Sequence, residues 1–150
     1  MATNLLTLTG FKMRFSTDLF PMTEKLAVAA SFPSISVSEV AAQYANKQGF
    51  VSSGFLQYGD LSVRVAVDEN LSIYNELYAW LLRNSDGAAV ETYNLVLNFV
   101  TSHFNVSRSV SFNSVFASSI GGIELNSQAT DVEYAFIDVT FKYDNFNFLD

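Results

Sequence analysis

Asp60-Leu-Ser-Val-Arg-Val-Ala-Val-Asp-Glu-Asn-Leu-Ser-Ile-Tyr-Asn-Glu-Leu-Tyr-Ala-Trp-Leu-Leu82 changes period in its middle. Leu61, Val63, Val65 and Val67 alternate with Ser62, Arg64 and Ala66, which is the two-residue period of a half-buried strand. Beyond Asp68 the spacing widens. Tyr74, Leu77, Tyr78, Leu81 and Leu82 fall at i, i+3, i+4, i+7 and i+8, one face of a helix. Asn70 is placed to cap that helix, and Glu69 and Glu76 bracket the positive end of its dipole. Arg83 falls in the last turn, and Asn84 to Gly87 supplies the stop.

The flanking sequence reads as strands. Phe11, Met13 and Phe15 alternate with Lys12, Arg14 and Ser16. Leu26, Val28, Ala30 and Phe32 continue in that style after a loop holding Pro21, and Pro33 breaks the run. Ile35 and Val37 suggest a short strand. Ser38 to Ser53 is mostly small or polar and reads as a long excursion, the kind of loop that is often functional in a compact domain. Tyr93, Leu95, Leu97 and Phe99 make a further strand, and Val110, Phe112 and Phe116 another. Gly121-Gly122 signals a turn or bulge. The last strand runs from about Val132 to Tyr143. Its apolar parity changes from even (Val132, Tyr134, Phe136) to odd (Ile137, Val139, Phe141, Tyr143), which predicts a β-bulge near Phe136. The expected fold is mainly β: one antiparallel β-barrel or sandwich with one flanking α-helix, a single domain over residues 1–150.

Composition narrows the function. The 150 residues are 49% hydrophobic and include 14 Phe and 7 Tyr, unlike a disordered chain. Cys is absent, which excludes disulfides and thiolate metal sites. The formal charge of −7 offers no basic footprint for adhesive nucleic-acid binding, although an acidic chain can still line a path for DNA. Met1 to Gly10 lacks a signal-peptide pattern, and no stretch approaches a membrane helix. The expectation is a protein of the cytoplasm, or of a particle assembled there, with no membrane partner.

Catalytic chemistry is hard to assemble from these residues. His103 is a lone histidine in phase with Phe99 and Thr101, better read as structural or surface than as a ligand. Asp68-Glu69 precedes the helix, where negative charge is favourable. Asp131 and Glu133 read as a solvated strand face. Gly121-Gly122 lacks the strand–loop–helix setting of a phosphate cradle, and Trp80 reads as packing. No catalytic residue, cofactor or metal site is expected.

Two blocks look familiar together. Tyr58-Gly-Asp-Leu-Ser-Val-Arg-Val-Ala-Val-Asp-Glu-Asn-Leu-Ser-Ile-Tyr-Asn-Glu-Leu-Tyr-Ala-Trp-Leu81 resembles the central strand–helix block of tail tube proteins from contractile-tailed bacteriophages. Ser119-Ile-Gly-Gly-Ile-Glu-Leu-Asn-Ser-Gln128, with Asp131-Val-Glu-Tyr134 and Val139-Thr-Phe-Lys-Tyr143, is similar to that family's C-terminal end. Phe11-Lys-Met-Arg-Phe15 and Phe32-Pro-Ser-Ile35 also fit. Ala117-Ser118 departs from the pattern, since many relatives carry a Pro there. Baseplate tube initiators share the pattern.

The resemblance implies a structural virion protein and not an enzyme. Six copies would form a ring whose strands join into one inner barrel. Rings would stack into a tail tube, assembled in the host cytoplasm. Its partners would be the tail sheath, baseplate and tail terminator proteins, and phage DNA would pass through the lumen without specific binding. A lumen sharing the chain's negative sign would repel phosphate. Barrel closure between subunits would also cover the open strand edges. A baseplate initiator or hub ring is the alternative within that class, and a small-molecule-binding β-barrel the alternative outside it. The long excursion is expected to be the subunit or ring contact, with Glu39 and Lys47 among small residues and Val40, Tyr44 and Phe50 as anchors.

Overall fold

The structure is a computed structural model that describes residues 10–44, 47–86, 90–100, 106–123, 125, 127 and 134–149; at 40, 42–44, 47–48, 51–53 and 106–107 it describes the backbone alone. In chain order the elements are β1 (Phe11–Phe15), α1 (Pro21–Leu26), β2 (Ala27–Ser31), β3 (Ile35–Tyr44), β4 (Lys47–Tyr58), β5 (Leu61–Ala66), α2 (Ser72–Ser85), β6 (Tyr93–Val100), β7 (Val106–Ile120), β8 (Phe136–Lys142) and β9 (Asn145–Leu149).

Seven strands form one antiparallel sheet in the order β1-β6-β7-β8-β5-β2, with β9 also paired to β7. The 15-residue β7 belongs to both halves. Its first part pairs with β6 and β9, and its last part with β8. The halves turn their apolar faces toward each other. Phe15 of β1 meets Phe141 of β8 with ring centroids 5.9 Å apart. The result is a partly open barrel with α2 packed on its core, the class that the sequence indicates.

The alternation read in β5 decides which way its side chains point. Leu61, Val63 and Val65 are fully buried, and so are Val139 and Phe141 of the neighbouring β8. On α2, Ile73, Leu77 and Trp80 are buried, so the buried line is turned from the expected face of Tyr74, Leu77, Tyr78, Leu81 and Leu82, of which Tyr78 and Leu82 stand about half exposed. Trp80 is the hub of this interface, with ring centroids 4.7 Å from Phe20, 5.4 Å from Tyr93, 6.1 Å from Phe15 and 6.2 Å from Phe141. Burying such large rings contributes most per residue to the core.

Several local expectations are corrected. Asn70 does not cap α2. Leu71 takes a left-handed backbone at φ 55°, so the chain turns into the helix later, and Asp68 reaches over. Its Oδ1 accepts from the N–H of Ser72 at 2.8 Å and of Ile73 at 3.4 Å, satisfying amides left open at a helix start. Residues 21–26 form the short helix α1 in place of a loop and the start of a strand, with Pro21 at its first position, where a missing N–H costs nothing. Leu26 therefore ends a helix, and β2 begins at Ala27.

The bulge expected near Phe136 is absent from the paired strand, because β8 pairs with β5 without a break from Phe136 to Phe141. Phe136 starts β8 on the outer face, beneath the Arg64 guanidinium at 5.0 Å. The earlier half of that expected strand, including Asp131, Val132 and Glu133, lies outside the described residues, as does His103. A bulge that the sequence reading did not anticipate lies in β7. An extra residue shifts the register with β6 between Tyr93 and Leu95, and Ser114 there has φ 58°. Val110 and Phe112 point inward before it, and Val115 and Ala117 after it. Phe116, expected to share the face of Phe112, is thereby turned to the other side.

Candidate assembly surfaces

The polar excursion from Ser38 to Ser53 is not a loop. It is most of a long two-stranded antiparallel hairpin, β3 against β4, which among the described residues pairs with no other strand. The sequence pattern hides it because the sheet sits on no core, so alternation was never needed for burial. The expected contact residues all fall on it. Glu39 lies opposite Ser52, Val40 opposite Val51, Tyr44 opposite Lys47 and Phe50 opposite Ala41. The side chains of Val40, Tyr44 and Lys47 lie outside the described residues, while Glu39 and Phe50 are exposed.

The register puts Ile35, Val37, Glu39, Ala41, Phe50, Leu56 and Tyr58 on one face. The shift between Val37 and Glu39 adds an even number of residues to β4, so the face is kept across it. Gly54, at φ 83°, lies in that shift. Phe50 is 65% exposed, and Ile35, Val37 and Leu56 are about half exposed. An isolated two-stranded hairpin is marginal in water.

The root of the hairpin is fixed firmly. The Gly59 N–H donates to the Ser34 carbonyl at 2.8 Å, and a Cβ at Gly59 would sit 3.0 Å from that same oxygen. Phe32 packs against Phe99, Phe112 and Phe146 at 5.6, 6.1 and 5.4 Å. Tyr58 packs against Tyr143 and Phe146 at 5.7 and 5.4 Å. Burial pushes the Tyr143 phenol up to about 12, with Tyr58 and Asp60 adding to it. Both chain ends of the hairpin thus meet Phe146 of β9. The sequence gives no sign of this aromatic clamp, because its members are far apart in the chain.

A second surface is the outer face of β1, β6, β7 and β9. By register, Lys12, Asn98, Ser109 and Leu149 form one row across the strands, and Arg14, Val96, Ser111 and Asn147 the next. Hydrogen bonds tie it laterally, from Asn113 Nδ2 to Asn145 Oδ1 at 2.7 Å and from the Ser114 N–H to Asn94 Oδ1 at 3.3 Å. Neither row holds a carboxylate. The negative charge is therefore not spread evenly: Glu69, Glu76 and Asp86 lie on or beside α2, and this sheet face carries only cations among its charged groups.

Strand edges are the third feature. Among the described residues, the outer edges of β1, β2 and β9 pair with no strand. One donor on the β1 edge is answered from α1, where Glu24 Oε1 accepts from the Phe15 N–H at 2.6 Å. Beside it a groove of ≈ 370 Å³ runs between β1 and α1, lined by Phe11, Met13 and Ala27 among others. Among the described residues, no group of three or more His, Cys, Asp or Glu is placed to hold a metal ion, and no helix is long and apolar enough to cross a membrane.

Comparison with known proteins places this geometry. No protein-family model matches the chain, and no curated protein matches it. Solved structures do. A chain in the six-fold symmetrised cryo-EM structure of the anti-feeding prophage baseplate superposes with TM-score 0.77 at 12% identity, covering 99% of this chain and 97% of that one. A chain in the sheath/tube terminator of the extracellular contractile injection system PVC gives TM-score 0.76 at 14% identity, over 100% of both. Hcp1 from Flavobacterium johnsoniae gives 0.54 at 9% identity, over 92% and 93%. The chain therefore shares its fold with chains of the anti-feeding prophage baseplate and of the PVC sheath/tube terminator.

Proposed function

We propose that this chain is a tube-type subunit of a phage-like contractile machine, forming six-membered rings that stack into the inner tube. The observation that carries this reading is the fold likeness over essentially the whole chain to a component of a six-fold baseplate and to a tube terminator. The edges of β1, β2 and β9, which pair with no strand among the described residues, support it. An open edge invites pairing with another chain, and joining β1 of one copy to β9 of the next would continue the sheet around a ring. Its inner face is already used by the core, so the face left for a bore is the Asn- and Ser-rich one.

Such a bore would be hydrated and would carry Lys12 and Arg14 in place of the acidic lining expected from net charge. Phage DNA is the proposed cargo, passing through without specific binding. The proposed partners are the sheath, baseplate and terminator proteins, in a tail particle assembled in the host cytoplasm. A baseplate initiator ring is the second reading, favoured by the likeness to a baseplate component. A ligand-binding barrel is disfavoured, because Trp80, Phe20, Phe112 and Phe141 fill the interior.

Negative-stain microscopy with mass measurement tests the proposal. Six-fold rings or stacked tubes are expected from the concentrated chain. A monomer at every concentration and salt condition, with no filaments, would overturn it. Copy number per particle separates tube from initiator.

A further inference from the structure

The outward edge of β1 is half closed by one side chain. Val100 donates to the Gly10 carbonyl at 3.2 Å and Ser16 to the Asn94 carbonyl at 2.8 Å, so the even-numbered residues of β1 use their amides and carbonyls on β6. Phe11, Met13 and Phe15 therefore direct theirs the other way, to an edge that meets no strand among the described residues. At the Phe15 end the Glu24 carboxylate takes the amide, with Oε1 2.6 Å from the nitrogen. At the Phe11 end the edge opens into the groove of ≈ 370 Å³, where Lys12 and Lys25 stand with Phe11 and Met13. The helix that carries Glu24 is itself anchored. The buried Thr23 hydroxyl donates to Glu76 Oε2 on α2 at 3.2 Å, and Phe20, just before α1, packs on Phe15 and Trp80 at 4.9 and 4.7 Å.

A charge aimed at a strand edge is one means of keeping that edge from pairing. Resting on the ring-forming reading above, we propose that Glu24 is a displaceable guard of the β1 edge: it holds the free chain unpaired and gives way when β9 of another copy arrives. β1 and β9 end the same run of hydrogen-bonded strands, β1-β6-β7-β9, and each is five residues long. β9 carries no charged side chain, so it meets Lys12 and Arg14 without a like charge. A strand laid along β1 as far as Phe15 needs the Phe15 amide for its own ladder. Guard and strand therefore compete for one hydrogen, while the edge at Phe11 and Met13 stands open. The incoming strand pairs first at the open end and reaches Glu24 last. Only side-chain torsions of Glu24 need change for its carboxylate to swing into solvent, and α1 stays where Thr23 and Phe20 hold it. A charge-assisted bond is exchanged for a weaker backbone one, so the exchange is favourable only when the rest of the strand comes with it. Short, stray pairings at this edge are thereby suppressed, and complete joints are not.

The concentration at which rings first appear tests the guard. Glu24→Ala removes it, and Glu24→Gln keeps an oxygen acceptor without the charge. Followed by light scattering and sedimentation over a concentration series, assembly of Glu24→Ala should begin about tenfold or more below the parent, the size of one lost hydrogen bond to a charged group. Glu24→Gln should fall between them. In the unassembled chains, the Phe15 amide should exchange its hydrogen faster in Glu24→Ala than in the parent. A side chain that only supports the fold would act in the opposite sense, because its loss weakens the chain and delays assembly. One common threshold for all three chains, or a higher one in Glu24→Ala, would overturn the guard and leave the ring reading intact. If Glu24→Ala does not fold, Glu24→Gln against the parent decides by the same rule. Failure of both variants to fold would assign Glu24 to the fold and overturn the guard. No rings from any of the chains at any concentration would overturn the ring reading, and the guard with it.

Discussion

Trp80 donates its indole N–H to the main-chain carbonyl of Glu91 at 3.0 Å. The side chain of Asn84 closes the same junction, donating to that carbonyl at 3.3 Å and accepting from the Glu91 N–H at 2.8 Å. The end of α2 is thus sewn to the chain entering β6. Trp80→Phe should keep the apolar contact and lose the donor, at a cost of about 1–3 kcal/mol. Urea unfolding of the unassembled chain measures it, and an unchanged midpoint would show that the hydrogen bond contributes nothing.

Leu77 is fully buried under α2, so Leu77→Ala should cost about 2–5 kcal/mol, lost transfer energy plus a cavity. Leu82→Ala, on the exposed line of the same helix, should change the stability of the isolated chain by no more than about 0.5 kcal/mol. Equal losses in the two variants would contradict the orientation of the helix.

Asp68 titrates below the ordinary aspartate range. The Ser72 hydroxyl bond lowers it most, desolvation opposes, and the amides of Ile73 and Ser72 lower it further. A carboxylate whose folded-state pKa is depressed contributes stability that is present above its unfolded-state pKa and lost as pH falls through the folded value. The acid limb of the stability curve should therefore be shallower in Asp68→Asn than in the parent, with the difference appearing below about pH 4. Parallel limbs would remove Asp68 from the helix start.

Phe146→Ala removes the ring that both ends of the hairpin lean on. Being partly buried, it should cost about 2 kcal/mol, less than a fully buried Phe. The hairpin should also become more susceptible to limited proteolysis. Cleavage elsewhere first, with the hairpin still protected, would show that the clamp does not hold the root.

Deleting Ala41 to Lys47 shortens the hairpin without touching that clamp. The chain should remain folded, with near-native circular dichroism, and should fail to stack or close rings. Normal tubes from the deletion variant would show that the hairpin has no part in assembly.

Legibility followed burial. β5 stands out in the sequence because one side of it is covered by core, and a covered side leaves a period of two behind it. α2 shows the helical period, but the stripe of Tyr74, Leu77, Tyr78, Leu81 and Leu82 shares only Leu77 with the fully buried line of Ile73, Leu77 and Trp80. Ser38 to Ser53 has no core beneath it in the single chain, so its strands left no such mark. α1 has six residues, too few turns to show a period, and Leu26 fits a strand pattern equally well. The cap was misplaced by two residues because the left-handed Leu71 is invisible to residue preference. The even residues Tyr134 and Phe136 are exposed, so the parity change at Phe136 marks no bulge; a separate slip of one residue lies at Ser114 of β7, where the polar neighbours Asn113 and Ser114 conceal it. The expected contact residues, Glu39, Val40, Tyr44, Lys47 and Phe50, all fall on this hairpin, and length and polarity single the segment out without showing that it is built of strands.

The shared strand β7 carries a mechanical consequence. At 15 residues it spans about 50 Å, and hydrogen bonds to β6, β8 and β9 are distributed along it. A pull applied along its axis would load those bonds together, in shear, so none could yield until many did. A pull across it would open them one after another, as a zip opens. A protein built this way is stiff in one direction and peelable in the other, and single-molecule force measurements along the two directions should differ accordingly.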